Sequence, residues 1–182
     1  MGKKIVVLTG SPREGGNTDR MADAFISGAQ SAGHVVTKFS TAQLNVYGCV
    51  GCGGCYQTED APCCHKDDFN RIAPVIEQAD EVVFAAPLYW STFPAALKRV
   101  IDNFFCFYYG KRPVAGKQAV LLSCGEDTSY MIFDGIQRTY ELILPTLNWR
   151  NAGMIFAPGV CEIGDVDKTD ALKRCEALGK SI

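Results

Sequence analysis

The 182 residues are 47% hydrophobic and 21% charged, and their formal net charge of −2 includes no acidic or basic block. This composition is typical of one globular domain, expected over residues 1–182, and gives no electrostatic basis for binding nucleic acid or an anionic membrane. The apolar run after Lys4 is too short for a signal-peptide core, and no later segment is long enough to span a bilayer. We therefore expect a protein of the cytoplasm, where thiols are normally kept reduced.

Short apolar runs alternate with segments of helical periodicity along the chain, a pattern typical of βαβ units and a parallel sheet. In chain order, strands are predicted at 4–9, 35–40, 81–86, 118–123 and 151–157. A helix is predicted after each strand, at about 18–32, 68–78, 94–105, 130–144 and 168–178. Asn17 is the expected N-cap of the first helix.

Five such units predict an α/β fold, a three-layer doubly wound five-stranded parallel sheet of order 2-1-3-4-5. Polar residues interrupt the run at 35–40, which favours an edge position for the second strand. Ligands of such sheets bind beyond the carboxyl ends of the strands. The loops 10–17, 45–67, 87–93 and 124–129 leave those ends, so we expect them to meet at one edge.

The loop between the first strand and the first helix, GSPREGGNT at 10–18, has the composition of a phosphate cradle. Its glycines let backbone N–H groups turn inward, and the helix N-terminus adds a favourable dipole. The expected side-chain donors are Ser11, Arg13, Asn17 and Thr18. The loop has neither the Lys-Ser or Lys-Thr of a Walker motif nor the G-x-G-x-x-G of a dinucleotide site. The alternative interpretation is an ordinary glycine-rich turn.

Two stretches resemble the flavodoxin-like NAD(P)H-dependent FMN reductases. GSPREGGNT resembles the G-S-x-R-x-x-G-N-T loop of that superfamily, and APLYWSTFPAALKRVIDNFF at 86–105 resembles its S-P-x-Y-W-x-x-x-P-x-x-L-K-x-x-I-D-R segment. The resemblance implies an FMN phosphate held by Ser11, Arg13, Asn17 and Thr18. It also implies an isoalloxazine ring lined by Pro87, Leu88, Tyr89, Trp90 and Ser91. Asn103 stands where the superfamily usually has Arg.

The residue types of the second loop suit a flavin independently of the resemblance. A flavin ring needs an apolar or aromatic wall and backbone donors near its polar edge, and PLYWS offers both. The fourth strand ends at the same edge, so Ser123, Cys124 and Gly125 are expected at the other side of the ring. No acid–base dyad or triad is assigned, because the flavin carries the chemistry.

Five of the nine cysteines lie in CVGCGGCYQTEDAPCCHKDD at 49–68, largely within the loop at about 45–67. Cys49, Cys52 and Cys55 form C-x2-C-x2-C on a glycine-rich turn, and Cys63 follows. Three crowded thiolates and a more distant fourth suit an iron–sulfur cluster, whereas structural zinc more often uses two separated pairs. Free or redox-active thiols, zinc and a disulfide are the alternatives. Cys64 is then an extra thiol. His65, which follows it, is expected at a solvated loop position, with a role as a substitute ligand as the alternative that its spacing does not require.

The same loop resembles that of the iron–sulfur flavoproteins, a branch of the superfamily with C-x2-C-x2-C, a fourth Cys and then a D-D pair. The matching residues are Cys49, Cys52, Cys55 and Cys63, followed by Asp67 and Asp68. This resemblance implies a [4Fe–4S] centre on the four cysteines. Dimers and tetramers are common in the superfamily, which implies a homodimer or homotetramer here. Core or subunit packing is expected for a further aromatic cluster, with a substrate wall as the alternative; its members are Phe104, Phe105, Phe107, Tyr108 and Tyr109.

The sequence therefore predicts an FMN-dependent oxidoreductase that takes electrons from NADH or NADPH and passes them to a small-molecule or protein acceptor. A [4Fe–4S] centre would add a site for single electrons. The alternative is a non-enzymatic flavin or iron–sulfur electron carrier, or a thiol-based redox sensor.

Overall fold

The computed structural model describes residues 2–58 and 61–182; Met1 and two residues of the predicted cysteine loop, Glu59 and Asp60, lie outside the described residues. The strands are β1 Lys4–Thr9, β2 Val35–Ser40, β3 Glu81–Pro87, β4 Gln118–Cys124 and β5 Arg150–Ala157. The helices are α1 Asn17–Ser31, α2 Phe69–Gln78, α3 Ala95–Asp102, α4 Phe105–Tyr108, α5 Asp134–Thr146 and α6 Ala171–Ser181. Each predicted strand is confirmed to within one residue at either end.

The five strands form one parallel sheet of order β2-β1-β3-β4-β5, which confirms the predicted doubly wound topology. Thr9, at the end of β1, lies opposite Ser40 of β2 and Ala85 of β3, so the carboxyl ends of these strands are aligned. The edge strand β2 has no fully buried residue, whereas β1, β3 and β4 are buried over most of their length. This difference explains the polar interruptions in β2 and the continuous apolar runs of the inner strands.

A hydrophobic core fills each face of the sheet, which gives the molecule three layers. Successive residues of β1 point to opposite faces. Val6 and Leu8 belong to the core that includes α2, α3 and α5, while Ile5 and Val7 belong to the core that includes α1 and α6. Because helices cover both faces of the sheet, ligands can reach it only at the loops that join the ends of the strands.

The prediction of one continuous helix at 94–105 is wrong, because α3 ends at Asp102 and α4 begins at Phe105. Asn103 lies between them, and its side-chain Nδ2 donates to the Arg99 carbonyl at 2.9 Å and to the Tyr47 carbonyl at 2.6 Å. The break is thus tied to a contact with the cysteine loop, which helical periodicity does not reveal.

Three other helix starts differ from the prediction. Asn17 does not cap α1, because Gly16 is the N-cap residue and Asn17 is the first residue of the helix. A 3-10 turn at Tyr130–Phe133 precedes α5, and another at Asp165–Lys168 precedes α6. Within residues 2–58 and 61–182, none of the helices combines the length and hydrophobicity needed to cross a membrane.

Candidate functional site

The loop before α1 turns tightly around the Ser11 side chain. The Ser11 Oγ accepts a hydrogen bond from the Arg13 N–H at 3.1 Å and donates to the Arg13 carbonyl at 3.2 Å. A helical bond at the start of α1 runs from the Arg20 N–H to the Gly16 carbonyl at 3.0 Å. The N–H groups that precede it have no helical acceptor and lie at the positive end of the helix dipole. The loop therefore offers the donors and the potential that a phosphate needs.

The Asn17 side chain fastens the loop after β5 to the phosphate loop. Its Nδ2 donates to the Glu162 carbonyl at 2.8 Å, and its Oδ1 accepts from the N–H groups of Gly164 at 2.9 Å and Val166 at 3.4 Å. The sequence predicts this amide as a phosphate donor, but in the structure both of its polar atoms already have partners. The backbone N–H of Asn17 stands at the start of the helix, where an anion can accept from it.

One pocket at the carboxyl edge brings together loops from four strands. The predicted residues that line it are Ser11, Arg13, Asn17, Thr18, Pro87, Leu88, Tyr89, Cys124 and Gly125. The loops are joined by backbone hydrogen bonds: the Leu88 N–H donates to the Cys124 carbonyl at 3.1 Å, and the Val160 N–H donates to the Gly125 carbonyl at 2.8 Å. The lining combines the donors of the phosphate loop with the apolar side chains that follow β3.

Three predicted ring contacts lie outside this lining. Trp90 and Ser91 are the central residues of a tight turn closed by Tyr89 and Thr92, whose backbones exchange hydrogen bonds of 3.0 and 3.1 Å. Trp90 is fully exposed. The Ser123 hydroxyl is buried in the sheet, where it donates to the Ala86 carbonyl at 2.7 Å. The Ser123 side chain is thus engaged within the sheet, whereas the Trp90 side chain lies in solvent at the tip of the turn.

Sequence reasoning missed the contribution of the loop after β5. This loop and the one after β4 add lining residues that the motifs do not include, namely Glu126, Val160, Cys161 and Ile163. The signal was available in the topology, since β5 also ends at the carboxyl edge. The Arg13 Nη1 reaches the same loop and donates to the Cys161 carbonyl at 3.3 Å.

Cys124 lies at the end of β4, in the wall of the pocket. Burial raises the pKa of the Cys124 thiol to about 12, and only the nearby Arg13 opposes that rise. The thiol is therefore protonated at neutral pH and serves as an apolar wall, not as a nucleophile.

The cysteine loop is closed at its base by the Asp67–Asp68 pair. The Asp68 carboxylate accepts from the Asn45 N–H at 2.9 Å, and the Asp68 N–H donates to the Asn45 carbonyl at 3.1 Å. The Asp67 carboxylate accepts from the Tyr47 N–H at 2.9 Å. The hydrogen bond of Asn103 to Tyr47 then fastens this base to the end of α3. These contacts hold the two ends of the loop together beside the body of the protein.

A second, smaller cavity lies inside the cysteine loop. The cysteines that line it are the predicted quartet Cys49, Cys52, Cys55 and Cys63, and also Cys106 of α4. Cys55 and Cys63 are half-buried against the core, and burial is the main cause that raises the pKa of each thiol. Cys106, to which the sequence reasoning gave no role, is a fifth thiol at this cavity.

Cys64 and His65 have more specific positions than the sequence suggests. The Cys52 Sγ lies 3.6 Å from the Cys64 Sγ and 3.7 Å from the His65 Nε2. A hydrogen bond from the Gly54 N–H, together with those from Cys64 and His65, lowers the pKa of the Cys52 thiol. The contact with Cys52 raises the pKa of Cys64, so the pair favours a thiolate on Cys52 and a proton on Cys64.

A doubly wound sheet with a phosphate cradle after its first strand and an apolar wall after its third defines a mononucleotide-binding protein of the flavodoxin-like class. A solved structure agrees with this fold. The NAD(P)H:quinone oxidoreductase from Methanothermobacter marburgensis superposes with a TM-score of 0.78 at 20% identity, covering 100% of this chain and 96% of that one.

The sequence model of the NADPH-dependent FMN reductase family matches residues 3–152. An iron-sulfur flavoprotein of Archaeoglobus fulgidus is 30% identical over 184 residues, which cover 98% of this chain and 78% of the relative. One from Methanocaldococcus jannaschii is 26% identical over 189 residues, which cover 98% and 95%. The chain belongs to the NADPH-dependent FMN reductase family, as its two flavin motifs predict. It is an FMN-dependent oxidoreductase that uses NAD(P)H as electron donor.

Proposed function

We propose that the pocket at the carboxyl edge binds FMN with the phosphate at the start of α1 and the isoalloxazine ring against the loop after β3. One observation carries this assignment: polar donors of the phosphate loop and the apolar side chains of Leu88 and Tyr89 line the same pocket. A phosphate dianion joined to a flat ring system requires that combination. When bound, FMN supplies the hydride and electron transfer of the reaction.

The chain's own residues bind and orient this cofactor. We assign the phosphate to the side chains of Arg13 and Thr18 and to the N–H groups at the start of α1. The Ser11 hydroxyl joins them by turning its hydrogen from the Arg13 carbonyl to the phosphate. Asn17 holds the β5 loop in place around it. The ring is assigned to Pro87, Leu88, Tyr89, Cys124 and Gly125. Trp90, Ser91 and Ser123 support the loops that carry these residues.

The solvent side of the pocket is the route that we assign to NAD(P)H and to the electron acceptor. Tyr89 lines the pocket and remains 47% exposed, so one side of the wall is accessible. An aromatic side chain at that rim offers a flat apolar surface for a nicotinamide or for an aromatic acceptor. A small-molecule or protein acceptor reaches the ring from the same side.

We further propose a [4Fe–4S] centre on Cys49, Cys52, Cys55 and Cys63. Four thiols around one cavity, on a loop whose two ends are fixed, supply the ligand set of such a cluster. The similarity to proteins named iron-sulfur flavoproteins supports the same assignment. A cluster distributes its thiolates over four iron atoms, so the ligand sulfurs need more separation than around one ion. When bound, the cluster supplies single-electron transfer.

Exposed aromatic side chains beside the cysteine loop support self-association as a homodimer or homotetramer. Phe105, Tyr108 and Tyr109 are each about half exposed and line a groove of about 600 Å³ between α3, α4 and α5. Tyr56 of the cysteine loop packs on Tyr109, with 5.5 Å between ring centroids. A second copy covering these rings would bury apolar area that is otherwise left in water. Sedimentation of Tyr108→Glu beside the parent protein tests this assignment, which predicts a smaller species for the variant.

A cytoplasmic location and a single domain over residues 1–182 complete the proposal. The nine cysteines are all free thiols, which suits a reducing compartment. One sheet carries every strand of the described residues, with a core on each face.

The cofactor assignments are tested on protein purified without oxygen, by an absorbance spectrum with FMN, iron and acid-labile sulfide measured on the same sample. We expect FMN, and four irons with four sulfides per chain, as a [4Fe–4S] centre requires. Flavin bands without sulfide would contradict the cluster, and no flavin after reconstitution would contradict the pocket. Arg13→Ala should weaken FMN binding, while Arg138→Ala, an exposed arginine on α5, serves as its control.

Turnover is tested anaerobically by oxidation of NADH and NADPH with a quinone, a nitro compound, an azo compound and free flavin as acceptors. We expect oxidation of at least one nucleotide with at least one acceptor. No oxidation with any pair would favour the electron carrier or thiol sensor over the enzyme.

A further inference from the structure

Three side chains of the cysteine loop form a compact group, of which only one belongs to the proposed iron–sulfur quartet. Cys52, Cys64 and His65 bring their ligand atoms within 4.8 Å of one another, and all three residues are exposed. In the described parts of the chain, 2–58 and 61–182, this is the group of three metal-binding side chains that is spaced for a single ion. Cys64 and His65 lie outside the proposed cluster quartet.

The distances within the group match those around tetrahedral zinc. Two thiolates bound at about 2.3 Å to one Zn²⁺ with tetrahedral angles lie about 3.8 Å apart, and a thiolate and an imidazole nitrogen lie about 3.6 Å apart. The Cys52 Sγ lies 3.6 Å from the Cys64 Sγ and 3.7 Å from the His65 Nε2. Two sulfurs and one nitrogen are also the donors that zinc prefers, and other soft divalent ions share that preference.

The backbone around the group fixes this arrangement. A Cβ on Gly54 would lie 2.3 Å from the Cys64 Sγ, so the absence of a side chain at Gly54 makes room for the second sulfur. The His65 carbonyl accepts from Asn70 Nδ2 at 2.7 Å and from the Asp67 N–H at 3.1 Å. The segment that carries Cys64 and His65 is thus held by α2, and Cys52 approaches it from the glycine-rich turn.

We propose that Cys52, Cys64 and His65 form a mononuclear site for Zn²⁺ or a similar soft divalent cation, with water at the fourth tetrahedral position. The exposure of all three residues leaves that position open to solvent. Cys52 also belongs to the proposed cluster quartet. The two kinds of metal centre therefore exclude each other, a part of the inference that rests on the proposed iron–sulfur function.

The mononuclear site is tested with Co²⁺ as a spectroscopic substitute for Zn²⁺, added without oxygen to the full chain free of cluster. We expect one equivalent to produce a thiolate-to-cobalt charge-transfer band and tetrahedral visible bands, both removed by Zn²⁺. Cys64→Ser and His65→Gln should each lower the affinity at least tenfold. Cys63→Ser, which alters the neighbouring thiol, is the matched control and should keep the affinity of the parent. Equal binding by Cys64→Ser, or loss of binding in Cys63→Ser, would overturn the assignment.

Gly54→Ala tests the geometry without removing a ligand. Its new Cβ displaces the Cys64 sulfur, so we expect a lower Co²⁺ affinity with the circular dichroism spectrum of the parent. An unchanged affinity would show that Cys64 does not bind the ion from the position described.

The mutual exclusion of the mononuclear ion and the cluster is tested by reconstitution with iron and sulfide. Cys63→Ser should lose the cluster and keep Co²⁺, Cys64→Ser should do the reverse, and Cys52→Ser should lose both. Zinc loaded first should block reconstitution in the parent and not in Cys64→Ser. Zinc and four irons bound together in one chain would overturn exclusion. A cluster that forms in no variant would contradict the iron–sulfur function alone, because the cobalt measurement stands without it.

Discussion

The side-chain amide of Asn70 hydrogen-bonds the backbone of Cys63 in both directions. The Cys63 N–H donates to Asn70 Oδ1 at 2.9 Å, and Asn70 Nδ2 donates to the Cys63 carbonyl at 3.1 Å. A residue in the first turn of α2 thus orients the most distant thiol of the quartet. Rigid helices support metal ligands more accurately than loops alone do.

Asn70→Ala should lower the free energy of unfolding by about 1–3 kcal/mol, because it removes several hydrogen bonds that are each worth about 1 kcal/mol. Urea unfolding of the metal-free protein measures the change. Arg71→Ala is the control, since its guanidinium pairs with Asp68 at the surface and should matter little. Equal stabilities of the two variants would show that the Asn70 contacts do not hold the loop.

Asn17→Ala should weaken the binding of FMN and of riboflavin by the same factor, about tenfold if a net 1.4 kcal/mol is lost. The reason is that both polar atoms of the Asn17 amide are hydrogen-bonded to the loop after β5. Quenching of flavin fluorescence measures both affinities. Arg13→Ala is the comparison and should weaken FMN alone, since riboflavin has no phosphate. Selective loss of FMN binding in Asn17→Ala would assign its side chain to the phosphate instead.

Glu81 should make the protein less stable as the pH rises through neutrality. Its side chain is fully buried at the start of β3, its oxygens have no hydrogen-bond partner among the described residues, and Lys3 Nζ lies 3.8 Å away. Burial raises the pKa of Glu81 from 4.5 to about 7, against the weaker effect of Lys3. The folded state therefore holds this proton more tightly than the unfolded state, so the stabilisation is complete below pH 4.5 and is lost as the pH rises through about 7.

Glu81→Gln should remove this pH dependence, which is worth about 3 kcal/mol for a shift of that size. The free energy of unfolding of the variant, relative to that of the parent, should be higher at pH 8 than at pH 4.5. Chemical unfolding at several pH values measures the difference. Glu176→Gln, which replaces an exposed carboxyl on α6, is the control for the same change of side chain at the surface. A stability difference between Glu81→Gln and the parent that does not change with pH would mean that the pKa of Glu81 is the same in the folded and unfolded states.

The turn at Trp90 and Ser91 should be stabilised by the residues that such turns favour. Both residues have left-handed backbones, with φ of 51° and 61°, a combination that suits Asn-Gly in a two-residue hairpin. Replacement of the pair by Asn-Gly should raise the unfolding free energy by about 1 kcal/mol and leave FMN affinity unchanged. Tyr89→Leu, which alters the pocket wall, should weaken FMN instead. If both variants lose FMN equally, the Trp90 turn contacts the flavin.

The sheet and the position of its loops followed from the sequence because their causes are local. Continuous apolar runs marked β1, β3 and β4, and the rule that ligands bind at carboxyl ends assigned the loops to one edge. The break after Asp102 could not be predicted in this way. Apolar residues continue past it at helical spacing, and the hydrogen bond from Asn103 to Tyr47 joins parts of the chain that are distant in sequence.

The site was predictable by residue type more than by residue role. The glycine-rich composition pointed to the loop that we propose as the phosphate cradle, but the partner of Asn17 lies in a loop that carries no motif. Spacing distinguished Cys63 from Cys64 only through the family pattern. The closeness of Cys64 to Cys52 depends on how the loop folds back over Gly54, which the spacing of cysteines does not encode.

The paired hydrogen bonds between Asn45 and Asp68 make the cysteine loop an exchangeable module. The chain enters and leaves the loop at nearly the same point, and the cost of closing such a loop changes only slowly with its length. A shorter segment, or one with different metal-binding side chains, can therefore replace the loop between these two residues without changing the sheet or the flavin pocket. Proteins built on this sheet can acquire or discard a metal centre through changes confined to one surface insertion.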